Sequence, residues 1–239
     1  GEVYVKRRIL QVSGMGESAV DEIAAPIYTK YADVQTSILF NKSEVEIHIA
    51  ARSDDSKKAE KTVGKLADEL AAALGKAVFS TNGETMEEIV GIRLKERGET
   101  VSVAESCTGG LIGRRLTEIP GSSAYFMEGA VVYSYDCKTK GLGVPPEIME
   151  KYGAVSAECA EAMAVGMRER AGTDHAISVT GIAGPEGGTA EKPVGTVFIG
   201  YAGAKGVKSV KIMLPGDRYL IRWRASQAAL DYLRRQLTL

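Results

Sequence analysis

The chain has 239 residues, of which 44% are hydrophobic, and its 30 basic and 31 acidic residues leave a net charge of -1. This is the composition of an ordinary globular protein, and the balanced charge gives no sign of a nucleic-acid or membrane partner. Because no apolar stretch approaches the roughly 20 residues that span a bilayer, and no signal-peptide pattern opens the chain, we expect a cytoplasmic protein.

Cysteine and histidine are scarce. The cysteines Cys107, Cys137 and Cys159 form no Cys-x-x-Cys pair, and the histidines are His48 and His175. This spacing argues against a disulfide framework and against a structural zinc site. Two isolated histidines also give no support for a histidine-dependent catalytic triad, so we interpret both as structural and predict no metal site.

Residues 1–82 are predicted to form a small α+β domain. Residue patterns indicate, in chain order, strand 3–12, a helix capped by Ser18 and reaching about Tyr31, strands 34–40 and 44–51, helix 55–75 and strand 76–79. Turn-forming residues at 80–83 place the domain boundary between residues 82 and 83.

The β-α-β-β-α order of this domain invites comparison with KH modules, which bind RNA. Those modules clamp the nucleic-acid backbone with a Gly-x-x-Gly loop. The glycine pair Gly14 and Gly16 has a different spacing. We therefore do not predict RNA binding for this domain.

Residues 83–239 are predicted to form an α/β domain. The patterns indicate helices at 84–98, 110–118, 156–172 and 217–236, and strands at 100–104, 124–134, 175–180, 194–201 and 207–214. Helices interleaved with apolar strands indicate a sheet covered on both faces. The predicted fold is a three-layer α/β/α sandwich preceded by the small α+β domain.

The first segment that could carry chemistry is AESCTGG at residues 104–110, the turn between a strand and a helix. Glycines let a ligand approach the backbone, and free N–H groups at a helix start can hold an anion or a developing oxyanion. Ser106 is either a nucleophile at this helix end or an ordinary capping residue, and the segment alone leaves both open.

The second segment is GAVVYSYDCK at residues 129–138, a strand that breaks into a polar turn. If this turn returns Lys138 to the phenol of Tyr133, the pair can replace histidine as the base for a serine. The chemistry works because a nearby ammonium makes a phenol more acidic, or because a partly buried neutral lysine takes the proton itself. The alternative is a packed tyrosine and a solvated lysine.

Two further segments are candidates for binding a ligand. The glycine-rich loop VTGIAGPEGGT at residues 179–189 is a candidate cradle for phosphate or ribose, although it matches neither Gly-x-Gly-x-x-Gly nor the P-loop. In PGDR at residues 215–218, Asp217 is a candidate helix cap, and Arg218 either binds a phosphate or pairs with a carboxylate.

Together, in this order and spacing, these segments resemble the C-terminal domain of the CinA family, known as nicotinamide-nucleotide amidohydrolase. The resemblance covers residues 85–239, and its motifs are AESCTGG at 104–110, Tyr133-Ser134 followed by Lys138, GAVS at 153–156, VTGIAGP at 179–185 and PGDR at 215–218. Residues 1–82 resemble the KH-like intermediate domain of CinA proteins. In the full-length proteins it follows a molybdopterin-binding-like domain to which a pyrophosphatase activity is attributed.

The resemblance implies a serine amidase that converts nicotinamide mononucleotide to nicotinate mononucleotide and ammonia in pyridine nucleotide salvage, without a metal or organic cofactor. Matching positions imply catalytic roles for Ser106, Tyr133 and Lys138. They imply substrate-binding roles for Cys107, Thr108, Gly109, Gly110, Thr180, Gly181, Gly184 and Arg218. We expect the oxyanion to be held by backbone N–H groups of residues 107–110, with the Thr180 hydroxyl as a further candidate, and we expect a homo-oligomer, a dimer.

One position departs from the family pattern, because Tyr135 stands where the family usually has Asn. We expect this side chain to reshape the pocket rim or to compete with Tyr133 for Lys138.

Two interpretations from other classes stay open. A short-chain dehydrogenase would need Tyr-x-x-x-Lys and a glycine-rich turn after its first strand, whereas the tyrosine–lysine spacing here is one residue longer and the turn is missing. A non-catalytic nucleotide sensor would keep the glycine loops but tolerate loss of Ser106. Ammonia release from nicotinamide mononucleotide distinguishes an amidase from both.

Overall fold

The computed structural model describes residues 3–237. The chain divides into two compact units, Gly1–Ile89 and Val90–Leu239, so the division falls a few residues beyond the boundary predicted at 82/83. No helix within residues 3–237 combines the length and the apolar character needed to cross a membrane.

The first unit has the predicted α+β architecture. Its elements are β1 (Tyr4–Ser13), α1 (Glu17–Tyr28), β2 (Val34–Asn41), β3 (Glu44–Ser53), α2 (Ser56–Leu74) and β4 (Val78–Ser80). The strands form an antiparallel sheet in the order β2-β3-β1-β4. Alternate residues of β3 from Val45 to Ala51 are buried and pack with Leu66 and Leu70 of α2. The apolar face of the strand, with its two-residue period, and the apolar face of the helix therefore form one core.

Helix α1 begins and ends earlier than predicted. Its N-cap is Gly16, whose carbonyl accepts from the amide of Val20, so Ser18 lies inside the first turn and does not cap it. The helix ends at Tyr28. The next residues continue in tighter turns, including a bond from the amide of Tyr31 to the carbonyl of Tyr28, which explains why the apolar spacing extends past the helix.

The second unit has the predicted α/β architecture. Its elements, with the helix that crosses the division between the units, are α3 (Met86–Arg97), β5 (Val101–Glu105), α4 (Leu111–Thr117), β6 (Phe126–Val131), α5 (Tyr135–Leu142), α6 (Pro146–Tyr152), α7 (Ala157–Ala171), β7 (His175–Gly181), β8 (Thr196–Gly203), β9 (Gly206–Met213) and α8 (Arg218–Gln236). The sheet order is β6-β5-β7-β8-β9. Strands β5, β6 and β7 are parallel, whereas β8 and β9 run antiparallel to their neighbours.

Burial of the central strands shows that helices cover both faces of this sheet. Every residue of β5 and of β8 is buried, although neighbouring residues of a strand point to opposite faces. Helices α7 and α8 both pack against β7 and β8. This arrangement gives the helix, sheet and helix layers of the predicted sandwich.

Two short helices were absent from the sequence prediction. Strand β6 ends at Val131 rather than at residue 134, because the hydroxyl of Ser134 accepts from the amide of Cys137 and begins helix α5. Helix α6 follows, with Pro146 as its first residue. Elements this short carry too few residues to establish a hydrophobic period.

Candidate active site

Ser106 lies at the carboxyl edge of the parallel strands, directly after β5. Its amide donates to the carbonyl of Val179 on β7 at 3.0 Å, and the carbonyl of Glu105 accepts from the amide of Val132 beyond β6 at 2.8 Å. The strand end is therefore held from both sides. In open α/β sheets this edge is where ligands bind, and two glycines follow before α4 begins.

Lys138, in the first turn of α5, contacts the hydroxyl of this serine. Its Nζ lies 3.1 Å from Ser106 Oγ, 2.8 Å from the carbonyl oxygen of Val132 and 3.1 Å from the carbonyl oxygen of Tyr133. The lysine is 1% exposed, and burial lowers the pKa of its amine because the charged form loses its hydration. As an ammonium, Nζ donates to all three oxygen atoms; as a neutral amine it would donate to the two carbonyls and accept the serine proton with its lone pair, which is the state in which it can act as a base.

The start of helix α4 is occupied by a carboxylate from the protein itself. The carboxylate of Glu105 accepts from the amides of Gly110 (3.1 Å), Ile112 (3.1 Å) and Gly113 (2.9 Å). The amide of Gly109 donates to the carbonyl of Ser106 at 3.0 Å. The predicted anion site on the two glycines is thus not what the structure shows, because their N–H groups already have acceptors.

Two amides of the turn have no oxygen acceptor within residues 3–237, although the thiol of Cys107 lies close enough to accept from the amide of the same residue. These are the amides of Cys107 and Thr108. They directly follow the serine that would attack a carbonyl group. Backbone amides in this position are suited to hold the oxyanion that forms when the serine attacks.

The thiol of Cys107 is a poor nucleophile in this environment. The residue is 5% exposed, and burial raises the pKa of the thiol to about 12. Since the thiolate is the reactive form, a thiol that stays protonated near neutral pH does not compete with the adjacent serine.

Ser106 and Lys138 line a cavity of about 420 Å³. The predicted residues along it are Ser106, Cys107, Tyr133, Lys138, Thr180, Gly181, Gly184 and Arg218. Thr108, Gly109 and Gly110 are not among its lining residues; they form the turn behind it. A volume of this size accommodates a small organic ligand.

Tyr133 and Arg218 contact each other at the rim of the cavity. Arg218 donates to the phenol oxygen of Tyr133 at 3.2 Å and to the carbonyl of Gly184 at 2.7 Å. The phenol is not hydrogen-bonded to Lys138, in contrast to the predicted pair. The reason is that helix α5 places the Lys138 amine next to the backbone that follows β6. There the amine contacts the carbonyl oxygen of Tyr133 and not its phenol. Tyr135 also lines the cavity but is not a hydrogen-bond partner of Lys138.

The remaining predicted residues take part in packing as well as in lining the cavity. The hydroxyl of Thr180 donates to the carbonyl of Ala154 at 2.7 Å, so its proton is not available to an oxyanion. A Cβ on Gly181 would lie 2.7 Å from the side chain of Val197, and one on Gly184, at φ +78, would lie 2.6 Å from Val194. Close approach of the neighbouring strand and loop therefore requires glycine at both positions.

Several cavity and turn residues were not found from the sequence. Glu105 was recognisable in principle, because an acidic residue before a helix start is a common anion partner for its amides. Lys192 lines the cavity and donates to the carbonyl of Tyr152 at 2.7 Å, so it adds a second cation to that of Arg218. Within the described part of the chain no His, Cys, Asp or Glu cluster is arranged to hold a metal ion.

Comparisons with known proteins cover both units. Residues 83–237 match the family described as the CinA C-terminal domain, and residues 7–80 match the KH domain of damage-inducible protein CinA. A CinA-like protein of Koribacter versatilis is 50% identical over 234 residues, which is 98% of this chain and 56% of that protein. A putative competence-damage inducible protein of Clostridium kluyveri is 41% identical over 98% of this chain and 57% of its own length.

Solved structures match about two thirds of the chain. The competence/damage inducible protein CihA of Agrobacterium tumefaciens is 41% identical, with a TM-score of 0.61 over 65% of this chain and 98% of that one. A CinA superfamily protein of Klebsiella pneumoniae is 30% identical, with a TM-score of 0.62 over 65% of this chain and 99% of its own. The present chain spans just over half the length of the curated relatives it matches.

Proposed function

The chain belongs to the CinA family, and we propose that its C-terminal domain is a serine amidohydrolase that converts nicotinamide mononucleotide to nicotinate mononucleotide and ammonia. The observation that carries this proposal is the 3.1 Å contact between Ser106 Oγ and the buried amine of Lys138. A serine hydroxyl in contact with an amine of lowered pKa is an activated nucleophile. The substrate is taken from the resemblance to the family.

In the acylation half of the reaction, Ser106 Oγ attacks the carboxamide carbon while its proton passes to Lys138 Nζ. The amide oxygen becomes an oxyanion, which the N–H groups of Cys107 and Thr108 stabilise. Collapse of this intermediate breaks the C–N bond. Lys138 returns its proton to the leaving nitrogen, so that ammonia departs and a nicotinoyl ester remains on Ser106.

Hydrolysis of the ester uses the same groups. Lys138 is neutral again after ammonia leaves, so it accepts a proton from water as the water attacks the ester carbon. The same two amides hold the second oxyanion. When the C–O bond to Ser106 breaks, the serine oxygen takes the proton from Lys138, and the carboxylic acid that forms loses its remaining proton to solvent to give the carboxylate product.

The direct test is to mix the purified protein with nicotinamide mononucleotide and to measure ammonia and nicotinate mononucleotide. We expect both products to form in equal amounts. A protein that binds the nucleotide without releasing ammonia would be a nucleotide sensor, and this outcome would refute the proposal.

The phosphate of the substrate is proposed to contact Arg218. The guanidinium lines the cavity at the first residue of α8, and Lys192 lines the same cavity. The helix start itself is capped, as predicted, by the carboxylate of Asp217, which accepts from the amide of Leu220 at 2.9 Å, so the two cations and not the helix start would hold the phosphate. A charge-assisted contact of this kind contributes about 1.5–3 kcal/mol, or between one and two powers of ten in specificity.

Arg218→Ala is therefore expected to lower kcat/KM for nicotinamide mononucleotide at least about tenfold, with little effect on nicotinamide riboside, which lacks the phosphate. Steady-state kinetics with both substrates provide the measurement, and the riboside is the internal control. An equal loss on both substrates would show that Arg218 only supports Tyr133 and Gly184, which it contacts.

Residues 83–239 alone are expected to keep the activity. Every residue of the proposed mechanism lies in this range, and the solved relatives consist almost entirely of the matching domain. The measurement is kcat/KM of the truncated protein relative to the full chain, and we expect agreement within about threefold, since no contact to a reacting group is removed. A soluble, folded truncation without activity would show that residues 1–82 complete the site.

A further inference from the structure

The turn that carries Ser106 is held from behind by one arginine of helix α8. Arg222 donates through Nε to the carbonyl of Cys107 at 3.0 Å and through Nη2 to the carbonyl of Thr108 at 3.0 Å. We infer that Arg222 orients and polarises the oxyanion hole, and so acts as a positioning residue for the reaction. This inference rests on the proposed acylation of Ser106, although not on the identity of the amide that is cleaved.

The first arm of the guanidinium acts on the amide of Thr108. In a trans peptide the N–H group points opposite to the carbonyl of the same peptide unit. The carbonyl of Cys107 shares its unit with the N–H of Thr108, so Nε of Arg222 fixes the direction of that N–H group. Withdrawal of electron density through the carbonyl also makes this N–H a stronger donor.

The second arm reaches the amide of Cys107 through one more hydrogen bond. The carbonyl of Thr108, held by Nη2, shares its peptide unit with the N–H of Gly109. That N–H donates to the carbonyl of Ser106 at 3.0 Å. The Ser106 carbonyl in turn shares its unit with the N–H of Cys107. The guanidinium of Arg222 is therefore connected to both amides that have no oxygen acceptor within residues 3–237. It polarises the amide of Thr108 through one peptide unit, and the amide of Cys107 through two peptide units joined by a hydrogen bond.

Gly109 explains how the guanidinium comes so close to the turn. The residue has φ +60, a conformation that favours glycine, and a Cβ there would lie 3.0 Å from Nη2 of Arg222. Both the shape of the turn and the approach of the arginine therefore require glycine. On the opposite side, the carboxylate of Glu105 binds the amides of α4, so the turn is fixed from two directions.

The planar fork of arginine is essential in this arrangement. Lysine would keep the positive charge, but its ammonium lacks the rigid pair of parallel donors that reaches two carbonyl oxygens at once. A purely structural arginine would instead affect the stability of the fold. Charge, geometry and stability can therefore be separated by substitution.

The test compares Arg222→Lys and Arg222→Gln with Arg114→Gln, a matched control on helix α4 whose side chain is 73% exposed and paired with Glu118. We expect both Arg222 variants to lower kcat about 10- to 100-fold with KM within about twofold, because the hole acts on the transition state rather than on bound substrate. The control should match the wild type. Unchanged kcat in both Arg222 variants would overturn the inference, and so would a change confined to the free energy of unfolding.

A second measurement separates this inference from the proposed substrate. Diisopropyl fluorophosphate forms a bond between Ser106 Oγ and phosphorus, fluoride leaves, and the serine proton passes to Lys138, while negative charge develops on the phosphoryl oxygen. Intact-mass spectrometry gives the labelling rate, which we expect to be about tenfold lower in Arg222→Gln than in the wild type.

This result would support the inference even in a protein that fails to deamidate nicotinamide mononucleotide. Equal labelling rates in the two proteins, or a wild type whose Ser106 is not labelled, would overturn it.

Discussion

Ser106→Ala is expected to reduce the deamidation of nicotinamide mononucleotide at least about 10³-fold, because a covalent mechanism loses its nucleophile. The fold should be unaffected, since within residues 3–237 the hydroxyl makes a single hydrogen bond, with Lys138, and alanine fits the same backbone. Product formation measured by chromatography at saturating substrate gives kcat. Thermal unfolding of the variant and the wild type shows whether the fold is retained.

Cys107→Ala is the matched comparison for this variant. The thiol is adjacent, buried and held protonated, so its loss is expected to lower kcat by no more than about fivefold, through slightly altered packing. If Cys107→Ala were inactive and Ser106→Ala active, the thiol would be the nucleophile and the proposed mechanism would be refuted.

The architecture was predictable because its signals are local. Strand β3 alternates buried and half-buried residues, and α2 repeats leucine at helical spacing, so each element could be recognised from a short window. The strand-to-helix turn around Ser106 was equally visible from its glycines. Helix α5 is not predicted by the sequence pattern, although Ser134 caps it, because its eight residues show little periodicity.

The contacts within the site were less predictable, because they depend on how distant elements pack. Glu105 and the glycine amides are close in sequence, yet the sequence does not show whether a substrate or this carboxylate occupies the helix start. Arg222 lies 115 positions from Cys107 in the sequence, and it is not part of any of the motifs that pointed to the site. Tyr133 and Lys138 line the same cavity as the serine, but only the turn of α5 determines that the lysine contacts the backbone of Tyr133 and not its phenol.

Lys138→Met is expected to lower kcat at least about 10³-fold, because methionine fills a similar volume but cannot accept the serine proton. Lys140→Met is the control on the same helix, since that side chain is 76% exposed and paired with Asp136. It should retain wild-type kcat. Tyr133→Phe is expected to lose much less than Lys138→Met, because its phenol contacts Arg218 rather than the reacting groups.

The pH dependence tests the same assignment. Burial lowers the pKa of Lys138 below its usual 10.5, and only the neutral amine can act as a base. In the wild type kcat/KM should therefore fall as the pH decreases through the pKa of Lys138, and this fall should begin at a lower pH than for an exposed lysine. Lys140→Met should show the same fall of kcat/KM at decreasing pH. The residual activity of Lys138→Met should not show it. If the same fall of kcat/KM at decreasing pH persisted in Lys138→Met, the base would be another group, and the role of this lysine would be refuted.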